Sequence, residues 1–237
     1  MKNEFKNKVI IYCYLILVFV TAIFSVHFAF AGVVSGEIIM DTATVRVIEQ
    51  NELIVTVKVK GDIDVGTPSE LRQVLSSVYV ANSEAKIVVL LNSNGGYVIK
   101  GFEIAHIIKA YGANTHIATG DKCYSACTIA FLGGKTRTNS GRLGYHNAWY
   151  SPSAITCTPD QLVWEFVTGQ AYSLKVFNMM SGFIETKHLR EFIYFYSEIK
   201  NVSYSIGNKI VILSQEKCVK SGICTKRISA LKKDVLI

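Results

Sequence analysis

An α/β domain is predicted by three features of this 237-residue chain. Residues 86–91 (Lys-Ile-Val-Val-Leu-Leu) are nearly all apolar and too few for a helix, the pattern of a strand buried on both faces. Helix-start signals stand on either side: Thr67-Pro68-Ser69-Glu70 before it and a glycine turn at 95–96 after it. Strand-like runs then recur between helical stretches, which favours a sheet covered by helices with right-handed crossovers.

The elements follow in order. Residues 36–60 alternate apolar and polar in two runs separated near 49–52, as in a hairpin or two adjacent strands. Gly61-Asp62-Ile63 breaks the second run. Thr67 to Glu70 reads as a capping box with Pro68 at the first helical position, giving a helix over 68–80. After the buried strand, the turn at 95–96 opens a helix to about residue 111, and 114–118 is a strand. A further turn leads into a helix from Ser125. Thr158-Pro159-Asp160-Gln161 is a second capping box and begins a long helical region, read as two helices, to about residue 200. Residues 209–213 form a last strand, followed by a short helix that ends at Gly222.

Residues 1–31 stand apart. Lys2, Lys6 and Lys8 form a basic head, residues 9–28 are almost wholly apolar, and Ala29-Phe30-Ala31 offers a small-x-small cleavage pattern. A signal peptide cut after Ala31 is the expectation. An apolar stretch of that length could also span a bilayer as an uncleaved membrane anchor. Either way residues 32–237 form one exported domain, periplasmic or extracellular, that meets a membrane only if the leader is kept. The chain carries +7; the leader accounts for +2 and leaves +5. Lys217, Lys220, Lys226, Arg227, Lys232 and Lys233 crowd the end without interleaved aromatics, which speaks against nucleic-acid binding.

Of six cysteines, Cys13 lies in the leader and five remain, so at least one thiol stays free or pairs between chains. Cys218 and Cys224 bracket a helix end and are the first candidate pair. Cys123 and Cys127 stand at i and i+4; read as helical, they would not be bridged, and Cys123 could reach Cys157 instead. Cys127 is then a small buried apolar residue. A zinc site from Cys123, Cys127 and His146 lacks a fourth ligand, so no metal is expected.

Three pieces carry chemistry. Cys123-Tyr124-Ser125-Ala126-Cys127 places a serine at a turn into a helix; by itself such a serine is usually an N-cap. Leu143-Gly144-Tyr145-His146 offers an imidazole, the side chain best suited to shuttle a proton; His106, His116 and His188 adjoin no motif. Asn92-Ser93-Asn94-Gly95-Gly96 follows the buried strand at the sheet edge where ligands collect. Together they are the parts of an acyl-transfer site: nucleophile, base and oxyanion cradle.

The order and spacing of these pieces resemble the Clp protease proteolytic subunit of the crotonase-like superfamily, and most closely its exported relatives, over about residues 61–225. Leu213-Ser214-Gln215-Glu216 to Gly222-Ile223 resembles the closing element of such domains. The resemblance implies a spiral of β-β-α units with a projecting helical arm from 159–200. It implies Ser125 as nucleophile, His146 as general base, the N–H groups of Gly96 and Ala126 as oxyanion hole, and Gly95 and Gly96 along an extended peptide substrate. It also implies self-association through the aromatic-rich arm. Asn94 stands where the family usually has proline, which alters loop stiffness and not the N–H groups. An acidic third residue would fall within 202–209, where there is none; Asn208, Ser205, or Glu198 from the arm are the candidates. No cofactor is expected. A Ser-Lys dyad through Lys122 or Lys135 explains less than His146 does, and coenzyme A chemistry is disfavoured by export. The chain has no Walker motif, so the expected activity is an ATP-independent serine peptidase. The alternative is a catalytically impaired oligomeric scaffold that kept the fold.

Overall fold

A computed structural model describes residues 38–39, 43–50, 54–146, 171–206 and 210–227, with side chains described from residue 44 and not over 200–206. The leader, Cys157, the second capping box and Asn208 lie outside these residues.

Six strands form the larger sheet: β1 (Ile38–Ile39), β2 (Ala43–Gln50), β3 (Ile54–Gly61), β4 (Lys86–Asn92), β5 (Asn114–Ile117) and β7 (Arg137–Asn139). The first three are antiparallel neighbours, with a bulge between Val47 and Glu49. From β3 through β4 and β5 to β7 the pairing is parallel. A second sheet joins β6 (Lys122–Tyr124) in parallel to β8 (Arg142–Tyr145), and β8 antiparallel to β9 (Val211–Ile212). Successive strands from β5 to β8 therefore alternate between the sheets, so the chain passes repeatedly from the large sheet to the small one.

Val57, Val59, Val89, Leu91 and Ile117 put the apolar strand positions into the core. Helix α1 (Thr67–Ala81) buries Leu71 and Leu75 against it. Helix α2 (Val98–Ala110) buries Phe102, Ile104, Ala105 and Ile108 and leaves His106 and Lys109 exposed, the two faces of an amphipathic helix. Small residues let it meet α3 (Ala126–Leu132) closely. A β-carbon at Gly101 would lie 2.5 Å from Ala126 O, and one at Gly133 would lie 2.2 Å from Ala105 O. That close approach fixes the start of α3, directly after Ser125.

The start of α1 is where expected, but its cap differs. Thr67 Oγ1 accepts from Asp64 N–H, and Asp64 Oδ1 accepts from the N–H groups of Gly66 and Thr67. Glu70 does not reach back to close a capping box. It is buried, and its Oε2 has no hydrogen-bond partner among the described residues. Burial first, and Asp64 second, raise its pKa. The neutral carboxyl favoured in the fold is fully present below the unfolded carboxyl range, about 4.3. Its contribution is lost as pH rises through the raised folded value. Glu70→Gln should accordingly gain about 1 kcal/mol at neutral pH and flatten the loss of stability from pH 4 upward, as read by urea unfolding across pH.

The C-terminal part is tied down by Arg137. Its buried guanidinium donates to the carbonyls of Ile223 (2.7 Å), Gly222 (2.8 Å) and Gly134 (3.0 Å). Helix α6 (Gln215–Lys220) is capped by Ser214, and Cys218 is bonded to Cys224 beyond it, the pairing read from the sequence. Arg137→Met should cost about 3 kcal/mol, because buried carbonyls lose charged donors, measurable as a lower denaturant midpoint.

Between β8 and β9 come α4, described over 171–181, a 3-10 turn (Thr186–His188) and α5 (Leu189–Ile206). The last helix runs beyond the expected end near residue 200. Phe177, Phe192 and Tyr196 cluster between these helices, and Val176, Met180, Phe192 and Phe195 join the buried core.

Candidate active site

The tip of β4 is fastened to β6. Ser93 N–H donates to Lys122 O (2.8 Å), and Tyr124 N–H donates to Ser93 O (3.1 Å). Beyond it the backbone turns through Gly95 (φ +110°) and Gly96 (φ +140°). Ser93 Oγ accepts from Gly95 N–H at 3.0 Å and steadies the turn. Ile63 clamps the pair from the other side: its N–H donates to Gly95 O (2.6 Å) and its carbonyl accepts from Tyr97 N–H (3.0 Å). A β-carbon at Gly95 would lie 2.6 Å from Ser125 Cβ and 3.0 Å from Ala126 N. The glycine turn therefore abuts Ser125 directly, and only glycine fits.

Ser125 itself has φ +53° and ψ −126°, the one non-glycine residue with positive φ among those described. A side chain held in such a sparsely populated region costs on the order of 1–3 kcal/mol, and such residues cluster at functional sites. Ser125 precedes the first residue of α3 but makes no side-chain cap bond. Its carbonyl is the engaged group, accepting from Thr128 N–H (2.9 Å) and Thr128 Oγ1 (2.6 Å). Ser125 thus occupies the N-cap position without the side-chain bond of an ordinary cap.

His146 directly follows β8 of the small sheet. Tyr124 pairs with Gly144 in the parallel β6–β8 register, and Ser125 N–H donates to Gly144 O at 3.2 Å. His146 follows two residues after that acceptor. Tyr145 between them is buried, packs edge-on against Phe195 at 5.3 Å, and has its phenol pKa pushed up by burial. The strand alternation puts Gly144 on the opposite side from Tyr145.

Two N–H groups complete the arrangement. No acceptor is found for Gly96 N–H among the described residues. Ala126 N–H, at the first position of α3, has no intrahelical partner by construction. Free donors beside a strained serine can hold a developing oxyanion.

One sequence expectation is reversed. Cys123 and Cys127 are disulfide-bonded, with Cα atoms 5.2 Å apart. Cys123 lies on β6 and only Cys127 is helical, so the objection to an intrahelical bridge does not apply. Cys127 is buried, as expected, but not as a free thiol. The spacing around Ser125 was the available signal; Ile63 and Thr128 left none. Glu198, on α5, accepts from Lys217 Nζ at 2.8 Å in a half-exposed ion pair, which it would have to leave to orient His146.

No protein-family model matches the chain, and no curated protein is similar to it. Among solved structures, a ClpP1 mutant from Listeria monocytogenes is similar, with 16% identity and a TM-score of 0.51 over 75% of this chain and 92% of that one. At that identity the likeness shows the fold, which is Clp-protease-like.

Proposed function

We propose that this chain is an exported serine peptidase working through an acyl-enzyme on extended peptides. The observation that carries the reading is the Ser125 elbow: a strained serine with an uncapping side chain, packed against Gly95 and Gly96. Ser125 Oγ attacks the substrate carbonyl while His146 takes its proton and later returns it to the leaving amine. Gly96 and Ala126 N–H groups hold the oxyanion. The peptide lies along the backbone after Gly96 as an added strand. Asn208 or Glu198 orients the histidine. The domain follows the crotonase-like spiral, and residues 1–31 act as a signal peptide or membrane anchor. Leu174, Ile193 and Tyr194 are exposed on α4 and α5, which supports self-association through the arm.

The test is labelling of the folded full chain with a fluorophosphonate probe, beside Ser125→Ala. Labelling that vanishes in the variant supports the peptidase; a folded chain that does not label sinks it. The Glu198–Lys217 ion pair and the lack of an acidic residue over 202–209 favour one second reading, an oligomeric scaffold on the same fold. Unlabelled, folded, self-associated protein is its expected result.

A further inference from the structure

We propose that the Cys123–Cys127 disulfide is a positioning element of the serine site, so that oxidation of these two thiols completes the reactive elbow. The inference rests on Ser125 being the nucleophile.

The bond joins the middle residue of β6 to the second residue of α3, and Ser125 is the apex of the turn it spans. Its Cα atoms are 5.2 Å apart, whereas four residues of extended chain would separate them by about 13 Å. The bridge thus permits only a sharp reversal between strand and helix. Both cysteines are fully buried, so neither serves the surface. The hydrogen bonds of the elbow reach only its backbone: Tyr124 N–H to Ser93 O, Ser125 N–H to Gly144 O, and Thr128 to Ser125 O. No cap bond from the serine side chain holds the positive φ. Without the bridge the elbow can relax to the negative φ that every L-residue prefers, and Oγ then moves relative to Gly96 N–H and His146.

The step that forms the clamp is thiol–disulfide exchange. Cys123 and Cys127 each give up a proton, and together two electrons. A protein disulfide acting as oxidant takes them and becomes two thiols. A chain whose thiols are still reduced holds its serine in a slack, poorly reactive turn.

The test uses the full chain with Cys123→Ala/Cys127→Ala, and Cys218→Ala/Cys224→Ala as a disulfide control remote from the elbow. Fluorophosphonate labelling rate is read beside amide hydrogen exchange. The elbow variant should label on the order of 10²-fold more slowly, with faster exchange confined to residues 124–128 and unchanged protection in β4. The control should label like wild type. A folded elbow variant that labels at the wild-type rate, or equal losses in both variants, overturns the proposal. If the wild type itself does not label, the nucleophile reading fails, and exchange still judges the clamp: unchanged exchange at 124–128 overturns it. Should the elbow variant not fold, the Cys218→Ala/Cys224→Ala chain treated with dithiothreitol replaces it. Labelling lost on reduction and regained on reoxidation is expected; labelling indifferent to reduction overturns the inference.

Discussion

Gly96→Ala will lose about 2–6 kcal/mol of folding stability and with it the labelling of Ser125. A β-carbon there would lie 2.0 Å from Ile63 O and 2.9 Å from Ile63 N. These are backbone atoms and cannot swing aside as a flexible side-chain end can. Overpacking of this kind costs about 1–3 kcal/mol, and a non-glycine residue at φ +140° costs about 1–3 kcal/mol more. The chain can escape only by parting Gly96 from Ile63, which breaks the bonds from Ile63 N–H to Gly95 O and from Tyr97 N–H to Ile63 O. Those bonds aim the Gly96 N–H, so the oxyanion cradle goes with them. Gly112→Ala is the matched comparison. It also has positive φ, +59°, but a β-carbon there meets nothing within 4 Å. Its cost should be about 1 kcal/mol, with labelling intact. Denaturant midpoints and labelling rates of the two variants check both statements; equal effects would remove the steric argument.

Much of this frame was legible because local pattern and tertiary burial agree. The run from Lys86 is apolar since both faces of β4 are covered, and its length separated strand from helix. The glycine pair at its end was legible for the same reason: a turn at a buried sheet edge leaves no room for side chains. Where the sequence misled, long-range geometry overrode a local rule. Cys123 and Cys127 carry helical spacing, but the positive φ of Ser125 puts one on a strand and the other in a helix. The elbow's backbone bonds run to Gly144 and Ser93, distant in sequence, which local spacing does not register. Thr67 and Glu70 have capping-box spacing, yet Asp64 takes the capping role by accepting from the Gly66 and Thr67 N–H groups. Ile63 looked like a strand breaker. Its role in gripping Gly96 depends on a bridge between residues thirty-three positions apart, which periodicity does not register.

Ser125→Ala, His146→Ala and the double variant should fall to one common floor of peptidase activity, each about 10³-fold or more below wild type. Groups that act as a unit are non-additive: once the nucleophile is gone, losing its base costs nothing further. The backbone makes such coupling physical. Ser125 is hydrogen-bonded to Gly144, and His146 leaves the same strand two residues later. Both residues therefore directly follow strands of one sheet, β6 and β8. Multiplicative losses would mean two independent sites and would dissolve the dyad. The cycle also locates the orienting group. Glu198→Gln should change turnover by less than about 3-fold if Glu198 keeps its half-exposed bond to Lys217, since exposed ion pairs contribute little. If Glu198→Gln instead reaches the floor of the dyad variants, the carboxylate has left Lys217 for His146 and the site is a triad. Asn208→Ala reads the other candidate on the same scale, where a loss of about 10-fold fits an amide that orients an imidazole without the charge to stabilise its protonated form.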